Sequence, residues 1–194
     1  MKNKIRLLIA LPVVLSINAL AQSAVNRVIT ESRTSAPYHH IQIKGEMKVK
    51  LLQDKMPGVT VEGTNYQTGN TVTMLRNDTL FIYQTNIRRT DAKTIIKINV
   101  DDLASLEVTG RTTVNSNGLV NTDYLIIRAY AGAQIKLDVR AMEVDSRATG
   151  CGVIDVTGST VNFSESIDEC SIIDSHSLDV LDKQVPDYRL CYGC

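Results

Sequence analysis

The sequence predicts an all-β protein built as a parallel β-solenoid, and three observations carry that expectation. Apolar residues alternate with polar ones over most of the chain, as in "IQIKGEMKVKL" from Ile41 to Leu51, the period-two pattern of half-buried strands. Apolar columns recur at a spacing of 19, among them Leu125/Val144/Phe163 and Ile135/Ile154/Ile173. There is no Trp and there are only 2 Phe in 194 residues, so the interior must be filled by aliphatic and small side chains. That suits a narrow coil.

The N-terminus is read first because it sets the compartment. Lys2, Lys4 and Arg6 precede an apolar run from Leu7 to Leu15, and Ala19-Leu20-Ala21 offers a small-x-small cleavage site. Residues 1–21 are therefore expected to be a signal peptide, too short in its apolar run to span a bilayer core of about 30 Å. Residues 22–37 read as a polar lead, 38–180 as the solenoid and 181–194 as a C-terminal cap or tail. No later segment is apolar enough to cross a membrane, so the mature chain is expected in the periplasm, at the cell surface or outside the cell. Lys+Arg and Asp+Glu balance at 21 each, which provides no electrostatic footprint for nucleic acid.

Strand signals follow at "VTVEG" (59–63), "TVTML" (71–75), "TLFIY" (79–83) and "TIIKINV" (94–100), with Asn77-Asp78 as a turn. No ten-residue window shows helical apolar spacing. Two further columns keep the step of 19, Ala129/Ala148/Ile167 and Met142/Val161/Val180, while Val108 to Ala129 and Val114 to Ile135 are spaced by 21. A rung of 19–21 residues would hold short strands joined at tight corners, each rung stacked about 4.8 Å above the last. Gly132, Gly150 and Gly152 fall where the coil must turn, and glycine supplies the positive φ that a corner requires. Val100 runs straight on to Leu103 and Leu106, so the residues before 103 are expected to continue the same coil.

Export permits disulfides. Cys151, Cys170, Cys191 and Cys194 allow three pairings. Cys151 and Cys170 occupy equivalent positions on successive rungs, which brings their Cα atoms within the disulfide window of about 4.4–6.8 Å. A reduced, buried ladder is the alternative there. Cys191-x-x-Cys194 closes the chain after Pro186 and reads as a structural bridge or a staple on the last rung.

At this point the chain resembles the putative auto-transporter adhesin, head GIN domain family of bacterial envelope proteins. The resemblance is carried by the ordered set "YHHIQIKGEMKVKLLQ", "RNDTLFIY", "IKINVDDLASLEVTG", "VTGRTTV", "AGAQIKL" and "TGCGVIDVTG", between Tyr38 and Val180. Departures are Arg111, where a small residue is usual, and Glu169 in place of a glycine. The resemblance implies a right-handed parallel β-helix at the surface or in the periplasm, and no enzyme activity.

Candidate chemistry is sparse. Asp155 and Asp174 share one outward column with Lys136 and Asn115, a polar, regularly spaced face suited to glycan, matrix or envelope-protein contacts. Two carboxylates about 5 Å apart are also the raw material of a carbohydrate-cleaving pair or of a calcium site, so a small carbohydrate-active enzyme is the rival reading. A structural envelope component stacking end to end is the third. Glu165, Asp168 and Glu169 make an acidic corner. His39 and His40 are adjacent on a strand, face opposite sides and cannot chelate one metal together. No catalytic motif and no resident cofactor is expected.

Overall fold

The computed structural model describes residues 28–34, 36–86 and 93–181. The expected leader, Cys191 and Cys194 lie outside the described residues. Among the described residues thirteen strands form one sheet of mixed direction, curled into an open half-barrel, with one short helix. β1 (Val28–Thr34) lies inside the segment expected to be a polar lead. β2 (His40–Lys44) and β3 (Met47–Gln53) follow, then β4 (Gly58–Thr64), α1 (Asn65–Gly69), β5 (Thr71–Arg76), β6 (Thr79–Gln84), β7 (Thr94–Val100) and β8 (Ser105–Thr109). Three long strands come next, β9 (Thr113–Tyr130), β10 (Gln134–Thr149) and β11 (Val153–Ile167), and then β12 (Ile172–Asp174) and β13 (Leu178–Val180).

The expectation of a purely parallel coil is corrected by the N-terminal half. β4 runs antiparallel to β1 and β7, and β5 antiparallel to β6. For β5 and β6 the reason is local turn chemistry. Asn77 and Asp78 adopt φ of 47° and 64°, the left-handed pair of a two-residue hairpin, and that hairpin reverses the chain where a rung would have carried on. The helix was not foreseen either. Thr64 caps it, its hydroxyl accepting from the Gln67 N–H at 3.3 Å while Gln67 Oε1 accepts from the Thr64 N–H at 2.8 Å.

From β8 onward the strands stack in parallel with the predicted steps. Val144 pairs with Leu125 and Phe163, Ala148 with Ala129 and Ile167, and Ile154 with Ile135 and Ile173. The steps of 21 have a single origin. Between Asn115 and Leu119 the chain carries two more residues than β10 does between Lys136 and Asp138. This bulge sits at Gly118, and the Asp138 N–H, displaced from the backbone ladder, donates to Ser116 Oγ at 2.9 Å. The column Met142/Val161/Val180 does not form. Met142 is exposed, and Val180 pairs with Thr160, because one extra residue between Asp174 and Leu178 lengthens the last step to 20.

The segment before residue 103 shares the sheet and its interior columns. Val61, Ile96, Val49, Val114, Ile135, Ile154 and Ile173 follow one another across seven strands, the first six at most 1% exposed. Each buried aliphatic side chain contributes about 1.5–3 kcal/mol relative to exposure. A second interior column runs from Leu80 through Ile41, Leu106 and Ile127 to Ser146.

The glycine corner after β10 is partly as expected. Gly150 has φ 64°, and so does its neighbour Cys151 at 61°, without being a glycine. Gly152 needs no positive φ. An added Cβ there would stand 2.5 Å from the Ala129 carbonyl oxygen, so the residue must be small because the rungs pack so closely.

Candidate functional site

Core-facing positions alternate with outward ones, so each strand pair projects a line of side chains to the outer surface. Asn115, Lys136, Asp155 and Asp174 stand in one such line. β3 and β7 extend it with Lys50 and Lys97, whose register partners are Asn115 and Lys50. These two were missed in the sequence because their rungs lie outside the 19-residue repeat, although "KVKL" and "IKIN" carry the alternation.

Most charges of this column have a partner in the column or beside it. Lys136 Nζ contacts Asp155 Oδ2 at 2.5 Å. That bond and the charge of Asp155 hold the ammonium above its ordinary pKa, with a smaller push from Asp174. Asp174 accepts from the His176 N–H at 3.1 Å and faces His176 Nδ1 at 2.8 Å. The hydrogen bonds from His176 hold that carboxyl below the usual carboxylate range. Lys97 is paired with Glu62. Asp155 and Asp174 are register partners, but each carboxylate answers to its own basic neighbour.

The remaining candidates have local tasks. Asp168 Oδ2 accepts the Gly150 N–H at 2.7 Å and so closes the corner beneath the cysteines. Cys151 and Cys170 lie side by side with Cα atoms 4.6 Å apart and are joined as a disulfide. His39 faces Asp78, whereas His40 Nδ1 meets Ser105 Oγ at 2.7 Å. Among the described residues no group of three or more His, Cys, Asp or Glu is placed to hold a metal ion. No helix among them is long and apolar enough to cross a membrane.

A concave feature lies elsewhere, on the outer surface of β2, β6 and β8. Leu80 and Ile82 point into the core, so Phe81 and Tyr83 between and beyond them point out. Register places Phe81 beside Gln42 and Tyr83 beside Lys44, with Glu107 and Thr109 of β8 on the far side of Gln42 and Lys44. These side chains border a groove of about 390 Å³. One of the two phenylalanines of the chain is thus held half-buried on the outside of the sheet, with an amide, a cation, a carboxylate and a hydroxyl around it. The signal was present in "TLFIY", where the inward aliphatics assign the aromatics to the other face, but the repeat drew attention to later rungs.

Comparison with known proteins bears on the fold and the family. The chain is similar in structure to a putative adhesin from Bacteroides fragilis, at 15% identity over 78% of this chain and 72% of that one, with a TM-score of 0.73. It is similar to a putative adhesin from Parabacteroides merdae, at 16% identity over 80% and 75%, TM-score 0.68. A putative lipid binding protein from Parabacteroides distasonis shares the architecture at 16% identity over 79% and 76%, TM-score 0.59. At these identities the likeness is one of fold. No curated protein matches the chain. A family model described as Putative auto-transporter adhesin, head GIN domain, matches residues 37–185. The chain therefore belongs to the putative auto-transporter adhesin, head GIN domain family.

Proposed function

We propose that this chain is an exported, non-catalytic surface-interaction module that binds glycans through the groove bordered by Phe81 and Tyr83. The observation that carries the reading is the outward aromatic pair set among Gln42, Lys44, Glu107 and Thr109. A pyranose ring offers an apolar C–H face and a rim of hydroxyls, and a concave site with aromatic walls and a few polar groups answers both. Strand backbones fix where these side chains leave the sheet, so no backbone freedom is lost on binding. We place the ligand here and not on the Asn115–Asp174 column because Lys136 and Asp155 of that column are paired with each other and Asp174 is paired with His176.

The leader-like N-terminus and the joined Cys151 and Cys170 support export, whether to the periplasm or to the cell surface. Family membership supports an interaction role over catalysis. The test is a glycan and matrix array with residues 22–194, with and without calcium, repeated with Phe81→Ala/Tyr83→Ala. A saturable hit lost in the double variant is the expected result. A blank array on folded protein, or a hit that ignores the double substitution, would remove the groove from the account. Calcium-dependent binding that ignores the groove but is lost in Asp155→Asn/Asp174→Asn would move the site to the charged column.

A further inference from the structure

The row of side chains that borders the groove at Tyr83 continues past it. Parallel register sets Tyr83 against Lys44, Lys44 against Thr109, and Thr109 against Tyr130, on β6, β2, β8 and β9 in turn. Each of the four directly follows a buried residue, namely Ile82, Ile43, Val108 and Ala129, so each points to the outer face. Both tyrosines are half-buried there. Neighbouring strands lie about 4.8 Å apart, so three spacings separate the tyrosines by about 14 Å. A cation and a hydroxyl stand between them.

The two flanks of this row differ. On one side Gly45, Gly110 and Ala131 come directly after Lys44, Thr109 and Tyr130, so no long side chain rises at those three positions. The turns pack closely: the Gly45 N–H donates to Thr109 O at 3.0 Å and the Gly110 N–H to Tyr130 O at 3.1 Å. An added Cβ at Gly110 would stand 2.6 Å from Gly45 O. On the other side the parallel row Phe81, Gln42, Glu107 and Arg128 stands in the same register. The outcome is a shelf across four strands, lined by side chains along one flank and carrying a tyrosine at each end.

Charge is placed unevenly on the shelf. Lys44 is exposed and, among the described residues, in no ion pair, whereas Lys97, Arg111, Arg128 and Lys136 are each paired with a carboxylate. The row from Tyr83 to Tyr130 holds no Asp or Glu. Glu107 belongs to the neighbouring row and is likewise in no ion pair among the described residues. A negative group set down at Lys44 therefore meets a free ammonium, and one set down a row away meets a free carboxylate.

We propose that this shelf is a cross-strand lane for a linear acidic glycan, with Tyr83 and Tyr130 as its two ring platforms and Lys44 as the partner of a carboxylate or sulfate between them. The inference rests on the reading of the groove as a glycan site and extends that site to Tyr130. An extended hexose chain advances, per sugar, by roughly the strand spacing of about 4.8 Å. Successive sugars then fall on successive strands, and four of them reach from Tyr83 to Tyr130. The terminal pair of rings lay their C–H faces on the tyrosines, while an inner sugar turns its acid to Lys44 in a charge-assisted contact. The lane selects for chain length as well as for charge.

The experiment is isothermal titration calorimetry of residues 22–194, which contain every described element, with hyaluronan oligosaccharides of two, four and six sugars. Every second sugar of that series carries a carboxylate. Neutral chito-oligosaccharides of the same lengths remove the acid, and a chondroitin sulfate series sets sulfate against carboxylate. Affinity for the acidic chains is expected to rise from two sugars to four, to change little from four to six, and to fall with added salt. Tyr130→Ala is expected to weaken binding of four sugars about five- to tenfold and to leave two sugars unaffected, and Tyr130→Phe, which keeps the ring, to bind as wild type. Lys44→Gln is expected to cost about tenfold with acidic chains and nothing with neutral ones. All three positions are on the outer face, and circular dichroism checks that each variant is folded. Affinity complete at two sugars, Tyr130→Ala equal to wild type at four, or neutral chains bound as tightly as acidic ones would each overturn the lane, and would leave the groove standing where Phe81→Ala/Tyr83→Ala abolishes binding. Binding that survives that double substitution, or no binding in any of the three series, would remove groove and lane together.

Discussion

Removing the cross-link between Cys151 and Cys170 is the perturbation that most directly tests the stacked-rung geometry. The two residues are separated by 19 in sequence, and their Cα atoms are 4.6 Å apart. Closing a loop of that length in the unfolded chain lowers its entropy by an amount worth about 3 kcal/mol at 25 °C in the chain-entropy relation. For a domain of this size, 1 kcal/mol moves the melting temperature by about 2–4 °C, so the expected loss is ~6–12 °C. The assay is urea unfolding and thermal melting of the oxidised protein, of the protein held in reductant, and of Cys151→Ser/Cys170→Ser, with intact mass reporting the bond. The reduced wild type and the double variant should coincide, both below the oxidised form and with similar urea slopes. A fully reduced protein with an unchanged midpoint would refute the loop-closure reasoning. A peptide map joining Cys151 to Cys191 would refute the pairing itself.

Three further predictions probe the core, the corners and a buried phenol. Ile154→Ala, inside the seven-strand column and 0% exposed, should cost about 3–4 kcal/mol, whereas Ile173→Ala at the end of that column should cost about half as much; equal losses in denaturant unfolding would contradict the ladder. At Gly158 an added Cβ would stand 2.0 Å from Val139 O on a backbone with φ 107°, so Gly158→Ala should lose more than about 3 kcal/mol or fail to fold, and a soluble variant with the wild-type melting temperature would show that the rungs are not so close. Tyr38 is 1% exposed, and its hydroxyl donates to Asn99 O at 2.6 Å and lies 3.3 Å from Gly58 O; Tyr38→Phe should cost about 1–2 kcal/mol. Burial pushes that phenol above its ordinary value of 10.0, so its contribution is intact below pH 10 and declines above it, where the unfolded chain releases the proton and the folded one does not. A pH series of unfolding midpoints should show this alkaline decline shrinking in Tyr38→Phe.

Part of this architecture was legible in the chain because its later strands pair in parallel and in register, so their chemistry repeats. Leu125, Val144 and Phe163 could be aligned by counting, since parallel in-register pairing turns equal spacing into spatial contact. Met142, Val161 and Val180 obeyed the same count and did not align, because one residue inserted between Asp174 and Leu178 shifts everything after it. Counting cannot see where an insertion is accommodated. The groove around Phe81 and Tyr83 escaped for another reason. Its walls come from β2, β6 and β8, brought together from residues 42 to 109, with no repeat to link them.

By itself the sequence determined the all-β class, the alternation of inward and outward residues along the strands, and the step of 19 that relates β10 to β11 and sets Cys151 level with Cys170. Each of these depends on local alternation or on a constant step, and both are written in residue order. Only the tertiary structure decided that the sheet is mixed, that Lys97 and Lys50 stand in line with Asn115, and that Gly152 answers to close packing. Those features depend on which strands become neighbours across long separations, and that choice is made by the shared burial of one core, which no local pattern encodes.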